Sequence, residues 1–467
     1  MRYFFSRLHD MHAIVLVTVF LAVLIDAAHT ASAQSPNFLE RGEYTNYPQT
    51  RGKVQDFEFE NFPAWLTLDM QIRLRTEDQA GYQYTFGNNR IYELTRLWGG
   101  ATVRPLKWLT GYMQFMDDHA LGLPVAHQNA NMRDNFDLRQ GYLELHGGPV
   151  QLYAGRRELR FGNERVVGIS DYTNNSRRWD GFFGHLADKT NENALDVFST
   201  SVVVVKPESL DKHGAGLTFH GVYGTLNSWI PGGITLQPFV LVKALPRVES
   251  PRGIFGSETE VTFGAESTGK FLGNFNYDVL ADLQRGSYSD ASIHGGADVE
   301  KIGYTFRNLP WKPRLGGEYD YAAGNPHNNL DRIKTYDQQY PSNHNAFGFS
   351  DLFGFQNIKQ QRVNLDLGPT KNLTLLVQGE AIGVASRRDN IYNDSGTTAV
   401  AVPSRGFATN SIGDGFDLSS KYVFHDYLVF NAAFSHFFPS NLMSAAKKGA
   451  PLTYSMFSLT YRFRVDR

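Results

Sequence analysis

The sequence predicts an all-β fold: a transmembrane antiparallel β-barrel of about eighteen strands, with short periplasmic turns and long extracellular loops. Three observations carry that prediction. The chain opens on a secretory leader, its later segments alternate apolar and polar residues with period two, and its connections alternate in length.

The leader comes first because it decides the compartment. Arg2 and Arg7 precede an uncharged, mostly apolar run over 13–25, and Ala31, Ser32 and Ala33 stand before Gln34. A basic start, a short apolar core and a small-x-small site form the secretory pattern, with cleavage expected after Ala33. A membrane-spanning helix needs about 20 apolar residues, and Asp26 stops this run short. The expected organisation is a signal peptide over 1–33, a periplasmic N-terminal segment over 34–63 and the barrel over 64–467.

Composition agrees. None of the 467 residues is cysteine, which excludes disulfide frameworks, cysteine-based zinc sites and thiol nucleophiles. The net charge of −2 argues against a nucleic-acid partner. Aromatics reach 13% although the mean hydropathy is slightly negative. Barrel strands produce that combination, because lipid-facing and water-facing residues average out.

Alternation is plainest from Trp65 to Arg75. Leu66, Leu68, Met70, Ile72 and Leu74 share one face, and Thr67, Asp69, Gln71, Arg73 and Arg75 share the other. Late in the chain, Phe457, Leu459, Tyr461 and Phe463 oppose Ser458, Thr460 and Arg462. Strands are expected near 65–76, 91–105, 109–118, 137–146, 150–158, 179–186, 193–205, 215–226 and 234–246. Nine more follow near 259–270, 275–286, 291–306, 313–323, 358–368, 373–386, 412–423, 428–437 and 452–463. Turn residues mark tight connections at 105–107, 147–149, 273–274 and 369–372. The intervening connections, over 77–90, 119–136, 324–357, 387–411 and 438–451, are long. Lipid offers the backbone no hydrogen-bond partners, so the strands must close into a ring.

The inward faces then decide what passes. Counted by alternation they carry Arg73, Arg75, Arg96, Arg156, Arg362 and Arg462, and, among more numerous acids, Glu144, Glu158, Asp298, Glu318, Asp366 and Glu380. Between 156 and 180, Arg156, Arg157, Arg160, Arg165, Arg177 and Arg178 are interleaved with Glu158, Glu164, Asp171 and Asp180. Guanidinium groups bind carboxylates through paired hydrogen bonds, which makes Arg165, Asp171, Arg178 and their neighbours selectivity candidates. Such groups also brace loops against a wall, the role preferred for Arg156, Glu158 and Asp180. Replacing Arg156 by alanine is expected to alter anion selectivity or loosen the 158–178 loop. The six tryptophans, Trp65, Trp98, Trp108, Trp179, Trp229 and Trp311, are expected to form interfacial girdles.

Several stretches together resemble the alginate export family of outer-membrane proteins. They are Asp137-Leu138-Arg139-Gln140-Gly141-Tyr142, Ala154-Gly155-Arg156-Arg157-Glu158, Trp179-Asp180-Gly181, Asp351-Leu352-Phe353-Gly354-Phe355 and Tyr461-Arg462-Phe463. The resemblance implies an eighteen-stranded barrel that lets an anionic polysaccharide, or another solute in divergent members, diffuse across the bacterial outer membrane. It departs at the end, where Phe463 is followed by Arg464 to Arg467. Expected partners are outer-membrane lipid, the barrel assembly machinery and a polysaccharide or small-solute substrate.

Catalytic constellations are thin. There is no G-x-S-x-G, H-E-x-x-H or P-loop, and no cofactor or metal motif. His327 and His344 share a loop with Asp331 but read as solvated residues. Asn393-Asp394-Ser395-Gly396 and Gly413-Asp414-Gly415 read as turns. Two functions remain open: a passive channel for an alginate-like polysaccharide or a small organic solute, and a surface enzyme or adhesin mounted on a barrel.

Overall fold

A computed structural model describes residues 54–467, apart from 191, 327–329, 345, 352 and 425–426. The leader therefore lies outside the described residues. Eighteen long strands form one sheet closed by pairing its first member with its last. They are β1 (Leu66–Ala80), β2 (Arg90–Leu106), β3 (Leu109–Leu121), β4 (Asp134–Gly147), β5 (Val150–Arg157) and β6 (Trp179–Ala187). Next come β7 (Ala194–Val204), β8 (Lys212–Thr225), β9 (Thr235–Glu249), β10 (Phe255–Phe271), β11 (Phe275–Tyr288) and β12 (Gly296–Thr305). The ring is completed by β13 (Arg314–Ala322), β14 (Ile358–Leu367), β15 (Leu373–Val384), β16 (Ser411–Phe424), β17 (Leu428–Pro439) and β18 (Leu452–Asp466). Every strand expected from the alternation is present.

Period-two patterning is what builds the wall. On β1 the odd-numbered Gln71, Arg73, Arg75, Glu77 and Gln79 are buried inward, whereas Leu68, Ile72 and Leu74 are exposed on the outside. Closure pairs Leu68 with Val465 and Thr76 with Phe457, leaving no open edge. The overhang beyond Phe463 is a continuation of β18. Its residues Phe463 to Asp466 pair in parallel with a short N-terminal strand, Gln55–Glu58, and Arg464 meets Asp56 at 2.8 Å.

Tight turns gather at the end where both described termini lie. Gly148 adopts φ 60° between β4 and β5, and Gly273 φ 77° between β10 and β11, a region open to glycine at little cost. Four tryptophans, Trp65, Trp108, Trp229 and Trp311, flank strands or sit in turns at this same end. The girdle expectation fails for the other two. Trp98 points inward, donates to Asp118 at 3.1 Å and lies between the guanidinium groups of Arg96 and Arg139; Trp179 is fully buried beneath inner loops.

Asp298 also differs from expectation. The expected strand over 291–306 is interrupted at His294 and Gly295, and β12 begins at Gly296. Asp298 and Glu300 then share the face of Ile302, which is 50% exposed to the outside, while Val299 and Lys301 face inward beside Asp320 and Glu318. Gly413-Asp414-Gly415 belongs to β16 and is not a turn, whereas 393–396 closes a turn through Gly396 N–H to the Asn393 carbonyl.

Candidate functional site

The loop from 158 to 178 leaves β5 and returns at β6, yet it touches wall sectors far from both. Two glycine and asparagine contacts fix its first corner. Gly162 has φ 52°, and a Cβ there would lie 2.0 Å from the Glu266 carboxylate of β10. Asn163 donates its N–H to Glu266 at 3.0 Å and its side-chain amide to Asp278 of β11 at 3.3 Å. Arg165 then bridges Glu318 and Asp320 of β13, each at 2.7 Å. The alternation that placed Glu318 and Asp320 on one inward face is what lets one guanidinium take both.

From there the chain crosses to the opposite sector. Arg73 of β1 donates to the carbonyls of Asp171, Tyr172 and Thr173 and to the Asn174 side chain, at 2.9–3.2 Å. Arg96 of β2 grips the Asp171 carboxylate at 2.8 Å and the Asn174 carbonyl at 2.6 Å. Arg75 donates to the Tyr172 carbonyl and lies over its ring while pairing with Glu77 at 2.8 Å. Arg462 of β18 stands 4.0 Å from Asp171. Asn174, itself buried, donates back to the carbonyls of Thr95 and Met132. We call this arginine–loop contact the latch.

A second inner loop, 323–357, packs against the first. Backbone bonds join Gly168 to Tyr340, Tyr340 to Val166 and Ser342 to Glu164, and Arg177 donates to the carbonyls of Gly168 and Pro341. Burial pushes Arg177 down to about 10, still far enough above neutrality to keep it cationic. Tyr336, Phe347, Phe349, Phe353 and Phe355 form an apolar core with Val167, Ile169 and Trp179 inside the barrel. Arg362 of β14 ties this loop down, donating to the Ala346 carbonyl and pairing with Glu318 at 3.0 Å and Glu380 at 3.3 Å.

Space in the lumen lies on both sides of the latch along the β1–β2 wall. Above it, a cavity of about 390 Å³ is lined by Arg75, Glu77, Tyr82, Arg90, Tyr172 and Lys448, among others. Below it, one of about 490 Å³ is lined by Thr67, Asp69, Thr102 and Arg104 with the end of β18. Gln71 and Arg73 separate the two along β1.

Most residues singled out in the sequence do face the lumen. Glu144 lies inward near the tight-turn end beside His146, Asp366 takes Arg314 at 3.1 Å, Arg462 takes Gln71 at 2.7 Å, and Glu158 takes Arg139. Arg178 is held by Asp134 at 3.1 Å and by Asp211, whose carboxyl burial drives upward.

Arg156 and Asp180 are the exception. They pair across β5 and β6 at 2.7 Å, in the same outward row as Ala154 and Phe182, the latter 70% exposed. They are rim residues and do not line the pore. Their charge marks the extracellular rim, and Arg156 caps the carbonyls of Leu138 and Asp211 there. Arg156→Ala should accordingly leave the reversal potential of the barrel unchanged while making the rim loop 205–211 more susceptible to protease. A shifted reversal potential would contradict this placement.

The His344 side chain is only 7% exposed, bonded to Asp351 at 2.6 Å and stacked on Tyr172, and Asp331 pairs with Arg252. The solvated reading fails for His344, and His327 lies outside the described residues. Sequence reasoning missed Arg139, Asp118 and Asn174. Only the Asn174-Asn175-Ser176 run between Tyr172 and the Arg177-Arg178 pair hinted at a loop built to satisfy buried backbone.

A closed eighteen-stranded antiparallel ring with apolar exterior and charged interior defines a bacterial outer-membrane β-barrel. Residues 64–454 match the alginate export family, and the chain belongs to that family. No curated protein sequence matches it. Among solved structures it is similar to the outer membrane protein OpdK of Pseudomonas aeruginosa, at 9% identity and TM-score 0.60, covering 86% of this chain and 100% of that one. It is likewise similar to OccAB3 of Acinetobacter baumannii, at 10% identity and TM-score 0.58 over 86% and 100% of the two chains. OccK11 (OpdR) of P. aeruginosa gives 10% and 0.56 over 90% and 99%. At these identities the likeness is one of fold.

Proposed function

We infer that the protein is a passive diffusion channel in which the latch forms the constriction, and that its cargo is a small organic solute in preference to an anionic polysaccharide. One observation carries the reading. Two cavities lie on the same wall of one lumen, and what separates them is a loop fastened by side chains and not by the wall itself.

The preference for a small cargo rests on how the basic groups are used. A polyuronate conduit needs guanidinium groups free to meet carboxylates. Here Arg73, Arg96 and Arg165 are consumed by the loop's own carbonyls and by wall carboxylates. The inner loops also leave separate cavities of a few hundred cubic ångströms, suited to a monomer. Alginate-family membership supports transport across the outer membrane, and a solved relative of the fold, OpdK, is described with vanillate, a small aromatic acid.

Uptake into proteoliposomes tests this. Monosaccharides and small aromatic acids are expected to enter at rates well above those of protein-free vesicles, and uronate oligomers are expected to stay out. Oligomer uptake as fast as monomer uptake would reject the small-solute reading.

A further inference from the structure

The outer wall of β12–β14 carries a polar, charged patch where lipid chains would otherwise lie. At the tight-turn end, Phe271, Phe275, Tyr304 and Phe306 touch in series, with ring centroids 4.8–5.2 Å apart, and mark the aromatic girdle. Strands rise about 3.3 Å per residue and tilt about 40°, which puts Glu300 roughly 10 Å and Asp298 roughly 15 Å above Tyr304, inside an apolar band about 25 Å tall. Both point outward, in the row of Ile302. No hydrogen bond or ion pair joins either carboxylate to another described residue. Lipid offers such groups neither charge nor hydrogen bonds, and ionisable side chains at that depth mark sites that something else covers.

The patch continues sideways in a complementary sense. Asp298 is in register with Tyr321 of β13 and then Lys359 of β14, and Glu300 with Tyr319 and then Gln361. Acceptors stand on one flank, donors on the other, and phenols between them. The ground around them is low. Ala281, Gly317, Gly379 and Ala381 lie on the same outer surface, and a Cβ added at Gly317 or Gly379 would meet nothing closer than 3.9 Å.

We propose that this face is the two-fold interface between two copies of the barrel. An axis along the membrane normal through β13 sets β12 of one copy against β14 of the other. Asp298 and Glu300 then meet the partner copy's donors on both sides of the axis, and the paired tyrosines meet at the centre. Isologous contacts require such a self-complementary patch, and small residues let the two backbones approach.

The absence of native cysteine makes the test clean. Tyr319→Cys, oxidised in native membranes, should give a disulfide-linked dimer in at least tenfold greater yield than Leu74→Cys on the far wall. Equal yields, or a folded Tyr319→Cys barrel that stays single, would overturn the proposal. Light scattering of the purified barrel should show two chains per particle for the unaltered protein and one for Asp298→Asn with Glu300→Gln. A single chain in the unaltered protein, carrying lipopolysaccharide that the double substitution releases, would assign the face to lipid and overturn it too.

Discussion

Replacing Arg73 and Arg96 together by alanine should free the crossing loop and raise the conductance of the barrel several-fold. Each guanidinium is buried and donates to several acceptors on residues 171–174. Taking one partner from a buried charged contact costs on the order of 3–5 kcal/mol, because the group left behind keeps its desolvation penalty. A local loss of about 3 kcal/mol raises the opened population of a segment roughly a hundredfold. The barrel itself should survive, since its closure rests on backbone pairing, including that of Arg73 with Thr460 and with Arg96, which alanine at both positions keeps. The check is single-channel recording beside limited proteolysis of the 158–178 loop. Higher conductance, faster loop cleavage and an unaltered heat-stable barrel are expected together. Unchanged conductance with a cleaved loop would show that the latch does not set the constriction.

The second large effect concerns the other end of the same loop. Arg165→Ala should lower the thermal midpoint of the barrel and shift its reversal potential toward cation preference. Glu318 keeps Arg362, but Asp320 loses its guanidinium and remains fully buried. Arg165→Lys should restore only part of the loss, because a single ammonium lacks the fork that meets two carboxylates at once. Asp320→Asn in the Arg165→Ala background should recover stability, by removing the charge left without its cation. Heat-modified gel mobility measures the stability and a salt-gradient bilayer the selectivity. Full rescue by lysine would show that a positive charge alone suffices.

All eighteen strands were legible because lipid on one side and water on the other force a two-residue period wherever the wall is crossed. Counting Asp298 inward sets aside the apolar row beside it: the register with β11 runs unbroken through His294 and Gly295, and Ala291, Ile293, Ala297 and Val299 are the buried residues. Alternation counts Arg156 inward and the arginine cluster brings Asp180 with it as a candidate, although bracing is the preferred role for both; at the extracellular rim water lies outside as well, so charge there does not mark the inner face. Ring chemistry and a place near strand ends or turns make all six tryptophans girdle candidates, but Asp118 and the inner loops supply the partners of Trp98 and Trp179 within the barrel.

The latch was out of reach for a different reason. It joins β1 to residues about a hundred positions later, and β2 to residues 75–78 positions later, largely through backbone carbonyls, which every residue possesses and no motif advertises. Glu158 likewise meets Arg139, a residue that no motif in the sequence marks for the site.

Single-channel recording of the unaltered protein in a planar bilayer tests the central claim most directly, that a continuous aqueous route runs through this ring past the latch. Discrete current steps from heat-stable, loop-intact barrels are the predicted result. A barrel of verified fold that stays electrically silent, both unaltered and with Arg73 and Arg96 replaced, would contradict it.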